Sequence, residues 1–599
     1  MSTLPRWDLS NVYPSLESKE FKAAVSDYRD QVASLEKFFD KKLSKAGRKT
    51  PNRELARLVG EAVDRLNKIV TLSGTIWPFI TAYVTTNSRD QAAMKAMSEF
   101  EQANLPMDKL WVRFRSWLGR VSPKLDKITA KNKAAKAHAF MLQEAAEQSR
   151  YQMADDLEGL AAELSLSGGN AFEKLQGTVT SQMSVEFELD GKVQNLPMTA
   201  LINLRSHRDE NTRRRGYEAE NKAWESVKET LAACLNGVKG HANTLNKRRG
   251  RKDAVHSALD AGRIDRKTLK VMLGAMEASF PMFRKYFKAK AKKLGKEKLA
   301  WWDLFAPMGK TDKVYSFEEA REFVLENFGR FSPDLQAFAQ RAFDNRWIDA
   351  EPRDGKRGGA FCMGIAAVKE SRVLCNFDGS FDGVTTIAHE LGHGFHNQCA
   401  YAAGKTELQQ FTPMTLAETA STMCETIVAE AVLVKTKDPQ EELSVLEGQV
   451  QGAAQVVVDI YSRYLFEKEV FERRELAELS ADDFSEIMLR AQKATYGDGL
   501  DERYLQKFMW TWKPHYYSPN LSFYNFPYAF GLLFATGLYA IYQQRGAAFV
   551  EDYKKLLAST GEASAADLAK RFGIDIRKPK FWEDSLAIIG KQIDRYCAI

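Results

Sequence analysis

A chain of 599 residues is too long for one ordinary hydrophobic core, so two to four subdomains are expected. Its 44% hydrophobic and 28% charged residues exclude a disordered or a membrane-embedded chain. A net charge of +7 is small at this size, and the basic runs 205–218 and 288–298 alternate with apolar or acidic residues, so they read as solvated helix faces and not as a nucleic-acid surface.

The first stretch, "MSTLPRWDLSNVYPSLES", lacks the positive start and apolar core of a secretory signal. Apolar positions three and four apart then predict helices over 17–45, 53–70, 88–120, 124–148 and 152–164. Near 180–198 the period changes to two: Val185, Phe187 and Leu189 alternate with polar residues, and Asp190-Gly191 marks a hairpin turn. Helical spacing resumes at 199, and 301–315 reads as a linker. Residues 357–377, with Gly358-Gly359 and many β-branched or aromatic side chains, predict two short strands. From 383 onward the chain reads as helix. The uncharged segment Phe526 to Tyr542 is broken by Pro527, Gly531 and Gly537 and is shorter than the roughly 20 residues of a membrane span, so it is expected as a buried helix. Six cysteines without C-x-x-C spacing read as reduced thiols of a cytoplasmic protein. The expected organisation is mostly α: a helical region 1–190 ending in the hairpin, and a helical catalytic region 191–599 with a small sheet.

Three of the eight histidines fall in "HELGHGFH", residues 389–396. His389-Glu390-Leu391-Gly392-His393 matches the H-E-x-x-H pattern of zinc peptidases. At about 100° per residue the two histidines lie roughly 40° apart on a helix and can reach one ion. The apolar residues Val384, Ala388, Leu391, Phe395 and Cys399 form a separate stripe, so core packing does not explain the pair. His396 shares the metal face. The longer metzincin pattern fails, however, because 396 is not glycine and 399 is cysteine, which leaves His396 as a packing residue or an outer partner of the site. A catalytic zinc takes three protein ligands and leaves a position for water. In "MTLAETASTMCETIVAE" (414–430), read as one helix, Glu418 and Glu425 share a face, and spacing does not choose between them. Glu418 is flanked by small residues that permit close helix approach, and Glu425 suits an acceptor for a ligand imidazole. Glu407 and Glu430 are weaker candidates.

"HELGHGFH" followed at 25 residues from His393 by Glu418 in "ETASTMCE" resembles the thimet oligopeptidase and oligoendopeptidase F family of zinc peptidases. "RWDLSNVYPS", "AGRIDRKTL", "WWDLFAP" and "GGAF" resemble its oligoendopeptidase F branch, so the likeness runs over most of the chain. It implies a two-lobed helical metallopeptidase with its site in a deep channel, one zinc per chain, and Glu418 as third ligand. Short peptides are then the partners, with no membrane, and the protein is a monomer or small homo-oligomer. In "WTWKPHYYSPNLSFYNFPYAFG" (510–531) the resemblance implies that His515, Tyr524 and Tyr528 hold the substrate carbonyl, although Phe526 and Pro527 interrupt the tyrosine spacing of the thimet branch. In the chemistry expected from this set, Glu390 is general base towards a zinc-activated water. Gly359 and Ala360 lie in an edge strand that pairs with the peptide. A zinc carboxypeptidase and a silent zinc or peptide-binding protein are the alternatives, and the presence of Glu390 argues against the latter.

Overall fold

The structure, a computed structural model, describes residues 4–310 and 313–599. Helices dominate, and the described residues hold five short strands in two sheets. Strands β1 (Ser184–Leu189) and β2 (Lys192–Pro197) form the expected hairpin, closed by Asp190 and Gly191 at positive φ. Strands β3 (Ile348–Asp349), β4 (Phe361–Ile365) and β5 (Glu370–Leu374) form the second sheet in the order β3-β5-β4, which leaves β4 at an edge. The Val373 and Cys375 N–H groups donate to Trp347 and Asp349 in the direction of β3. Backbone groups alternate sides along a strand, so Arg372 and Leu374 face their β4 partners Met363 and Phe361. The amides and carbonyls of Cys362 and Gly364 are thereby left on the free edge.

Two compact units interleave in sequence. The first comprises 1–152, 313–431 and 541–574, and the second 153–312, 432–540 and 575–599. The hairpin β1–β2 lies within the second unit. In the first unit the helices Lys19–Phe38 and Gln91–Val121 start at Ser18 and Asp90, whose side chains accept from Phe21 and Ala93 amides. Between them the helix Asn52–Thr86 is long and apolar enough to cross a membrane, yet its Leu55, Val59, Val63, Ile76 and Phe79 are fully buried in this unit's core.

In the second unit the segment expected as a linker is partly core: Trp301, Trp302, Asp303 and Leu304 are all buried. The apolar side chains favour burial, and Asp303 is buried with its counter-charges. Asp303 accepts from Arg213 Nε and Nη2 at 3.1 and 2.8 Å and also from Lys296. Arg213 and Lys290 belong to the basic runs read as solvated faces, yet both are buried, Lys290 against Glu447 at 2.5 Å. Helical spacing shows which face a cation occupies and not whether a carboxylate waits there. The segment from Phe526 is a buried helix, as expected, with a packing reason for Gly537: a Cβ there would stand 2.5 Å from the Phe581 ring.

Asp303→Ala should leave the buried Arg213 without its counter-charge and lower stability by about 3–5 kcal/mol. A fall in the thermal or urea denaturation midpoint checks this.

Candidate active site

The histidine helix, Phe381–Ala402, begins at Ser380, whose hydroxyl accepts from the Gly383 amide at 3.0 Å. Its expected apolar stripe is buried, and His389 and His393 stand on a face that remains about one quarter exposed. Their rings lie 5.0 Å apart and nearly perpendicular, so both Nε2 atoms point at one place. Glu418 is there. Its Oε2 lies 3.3 Å from His389 Nε2 and 3.4 Å from His393 Nε2, and one donor atom from each residue lies within 4.8 Å of the others.

Residues 414–430 are not one helix. Met414–Ala417 forms a single turn, Glu418 sits at the break, and a new helix runs Thr419–Lys435. Ser421 Oγ donates to Glu418 Oε2 at 2.7 Å and fixes the carboxylate. Glu425, farther along, meets the other side of His389, with its Oε2 3.2 Å from Nδ1. The two glutamates therefore divide the two nitrogens of one imidazole. Burial lowers the His389 pKa, but the hydrogen bonds to Glu418 and Glu425 outweigh it and push it up to about 10. Burial likewise opposes ionisation of Glu418, and the same imidazoles reverse this and hold it far below the usual carboxylate range. Gly392 makes this approach possible: a Cβ there would stand 2.6 Å from Ala420 O and Ser421 Cα.

Glu390 is buried beside the pair, and its Oε2 has no hydrogen-bond partner. Burial raises its pKa against the pull of His389 and His393. His396 is also buried, but it bonds Thr560 Oγ1 at 2.9 Å and lies outside the ligand group. Burial lowers its pKa to about 4, so it is neutral near pH 7. Glu407 and Glu430 stand outside the group too. Gly359 and Ala360 lie just before β4 and not within the strand, Gly359 in a bend at φ 79° with its carbonyl accepting from Asn376 Nδ2 at 3.0 Å. Two cavities, of about 430 and 520 Å³, share Ala360, His389 and Glu390, so a cleft follows the end of β4 past the ligand group.

In the second unit His515, Tyr524 and Tyr528 come together. The Tyr524 and Tyr528 hydroxyls are 2.6 Å apart, and the His515 and Tyr524 rings 5.8 Å apart. Asn525 joins them. Arg463 Nη1 donates to Asn525 Oδ1 at 3.4 Å, which leaves the Asn525 amide to donate to His515 Nε2 at 2.7 Å. The imidazole proton then sits on Nδ1. Burial, with Arg463, Lys513 and Lys239 adding to it, lowers the His515 pKa to about 2 and keeps the ring neutral. Asn525 carried no spacing or motif signal in the sequence; only its place between His515 and Tyr528 hinted at it.

Residues 203–588 match the family model described as Peptidase family M3, and 122–184 match one described as Oligopeptidase F. The first match covers more than half of the chain. The chain belongs to peptidase family M3. Oligopeptidase PepF of Bacillus subtilis is 22% identical over 98% of this chain and 86% of that protein. A Chlamydophila abortus crystal structure superposes with a TM-score of 0.82 at 17% identity, over 99% of this chain and 98% of that one. Oligoendopeptidase-F from Enterococcus faecium gives 0.69 at 17%, over 96% and 98%.

For an M3 peptidase the ligand group fits a resident metal ion. Two imidazole nitrogens and one carboxylate oxygen converge, with an unpartnered buried carboxylate oxygen beside them. That donor set suits zinc better than an oxygen-seeking Mg²⁺ or Ca²⁺. His393→Ala and Glu418→Ala should each abolish stoichiometric metal in this M3 chain. Glu425→Ala should retain the site with about 10–100-fold weaker affinity. Metal titration of the three variants checks the division between the two glutamates; loss of metal in Glu425→Ala alone would reverse it.

Proposed function

We propose that this M3 peptidase is a zinc-dependent endopeptidase of short peptides, with one ion held by His389, His393 and Glu418 and with Glu390 as general base. The observation that carries the reading is the convergence of both Nε2 atoms on Glu418 with the unpartnered Glu390 oxygen at their side. Zinc, when bound, supplies a Lewis acid for the scissile carbonyl and lowers the pKa of water. Glu390 takes the proton of the attacking water and delivers it to the leaving amine. Its burial suits this, since a carboxylate with few partners gains from accepting a proton. Glu425 holds His389 through Nδ1, which leaves Nε2 as the ligand atom.

The free edge of β4 pairs with an extended peptide through Cys362 and Gly364, and the Gly359 bend with Ala360 opens its entrance. His515, through Nδ1–H, and the Tyr524–Tyr528 pair are the proposed donors to the carbonyl oxygen as it gains charge, each donor being worth about 3–4 kcal/mol. Support for this role is their shared preparation: a neutral ring with a set tautomer and two phenols within one hydrogen bond. The six free cysteines fit a reducing compartment such as the cytoplasm.

Glu390→Gln keeps size and ligands but accepts no proton. Metal content and peptide affinity should persist while kcat falls by about 10²–10⁴-fold. Near-normal turnover with zinc intact would contradict the mechanism. Cleavage of internal bonds in peptides with an amidated C-terminus separates this enzyme from a carboxypeptidase.

A further inference from the structure

We infer that the cleft continues into a subsite for a positively charged group of the peptide, about three to four residues from the bond that is cut. This rests on the peptidase reading above. A cavity of about 740 Å³ in the first unit shares Gly364, Asn397, Gln410 and Phe411 with the cleft beside the ligand group. Two rulers measure the distance. Asn397 and Tyr401 follow His393 by one and two turns on the same face of the histidine helix, about 6 and 12 Å along its axis. Along the β4 edge, Phe361 to Gly364 spans about 10 Å. An extended peptide advances about 3.4 Å per residue, so both rulers give three to four residues. Gly364 is the threshold, since a Cβ there would stand 3.0 Å from Tyr401 Oη and 3.2 Å from Asn397 Nδ2.

The lining sets the chemistry of the occupant. Trp77, Phe100 and Phe411 provide aromatic surface, and Glu101, Asp108 and Glu407 provide carboxylates. Trp77 is 40% exposed, so its ring still has surface to cover. Among the described residues no Lys, Arg or His lines the cavity, and none of the three carboxylates is in an ion pair. Glu407, a weak metal-ligand candidate from sequence, lies here, with its Oε1 accepting from Gln410 at 3.2 Å. Lys369 acts on it electrostatically without lining the cavity. The Trp77 ring and three carboxylates outside any ion pair suit a guanidinium or ammonium and repel an anion. The peptide has two sources of that charge: its free α-ammonium, or an Arg or Lys side chain.

The test uses the zinc-loaded full chain and a neutral core peptide cut at one bond. Arginine or norleucine is placed two to six residues from that bond on either side, with the N-terminus free or acetylated. The subsite predicts kcat/KM about tenfold higher when the charge lies three or four residues away on one side only, mainly through KM. A gain in acetylated arginine peptides assigns the side chain; a gain only with a free terminus at that distance assigns the α-ammonium. In Glu407→Gln/Asp108→Asn the ratio of charged to neutral peptide should fall to about one. If wild type cuts the core peptide with no preference for charge at any distance, the subsite is overturned while the peptidase reading stands. If it cuts no peptide at all, the reading beneath the subsite falls.

Discussion

The site depends on one backbone contact. Gly392 has no side chain, so the histidine helix touches the chain at Ala420 and Ser421, where a Cβ would stand 2.6 Å away. A contact that close carries both glutamates to the same imidazole: Glu418 from the helix break to Nε2, and Glu425 from the next helix to Nδ1. Were the helices separated by an ordinary side-chain layer, neither carboxylate would reach. The glycine within H-E-x-x-H therefore helps set the geometry of the His389, Glu418 and Glu425 group, although it supplies no donor atom.

Around that contact the protein tolerates features that cost stability. Glu390 is buried with an unpartnered oxygen, and a cluster of acidic and basic groups faces itself across the ligand positions. In the second unit Phe523 is held at φ 53°, an unfavourable backbone for an aromatic residue, directly before Tyr524. Its amide donates to Glu467 at 3.0 Å, and Glu467 is paired with the buried Lys239 at 2.7 Å. A buried ion pair thus anchors a strained turn next to the tyrosines. Strain and unpartnered charge sit at the two places with proposed chemical roles.

Much of this was legible in the sequence, for physical reasons. The 3.6-residue period put His389 and His393 on one face and Val384, Ala388, Leu391 and Phe395 on another, a two-residue period marked the hairpin, and β-branched and aromatic residues after Gly358-Gly359 marked the strands before the histidines. Glu418 and Glu425 were both visible, but choosing between them took the family resemblance, and their placement on the two nitrogens of His389 needed the structure. The helix break at Glu418 was hidden because Ala417, Thr419 and Ala420 all suit a helix. The buried roles of Trp301–Asp303, Arg213 and Lys290 were hidden because each depends on a partner far away in sequence, Arg213 on Asp303 and Lys290 on Glu447. Asn525 was missed for the same reason: what marks it is its place between Arg463 and His515.

The central claim is that one zinc sits where the two Nε2 atoms and Glu418 converge. Anomalous diffraction at the zinc absorption edge, on crystals of the zinc-loaded protein, tests it most directly. The account predicts one strong peak per chain, about 2.0–2.2 Å from His389 Nε2, His393 Nε2 and a Glu418 oxygen, with Glu425 beyond bonding distance. A peak bonded to Glu425 in place of Glu418, or no peak between the two histidines, would contradict it.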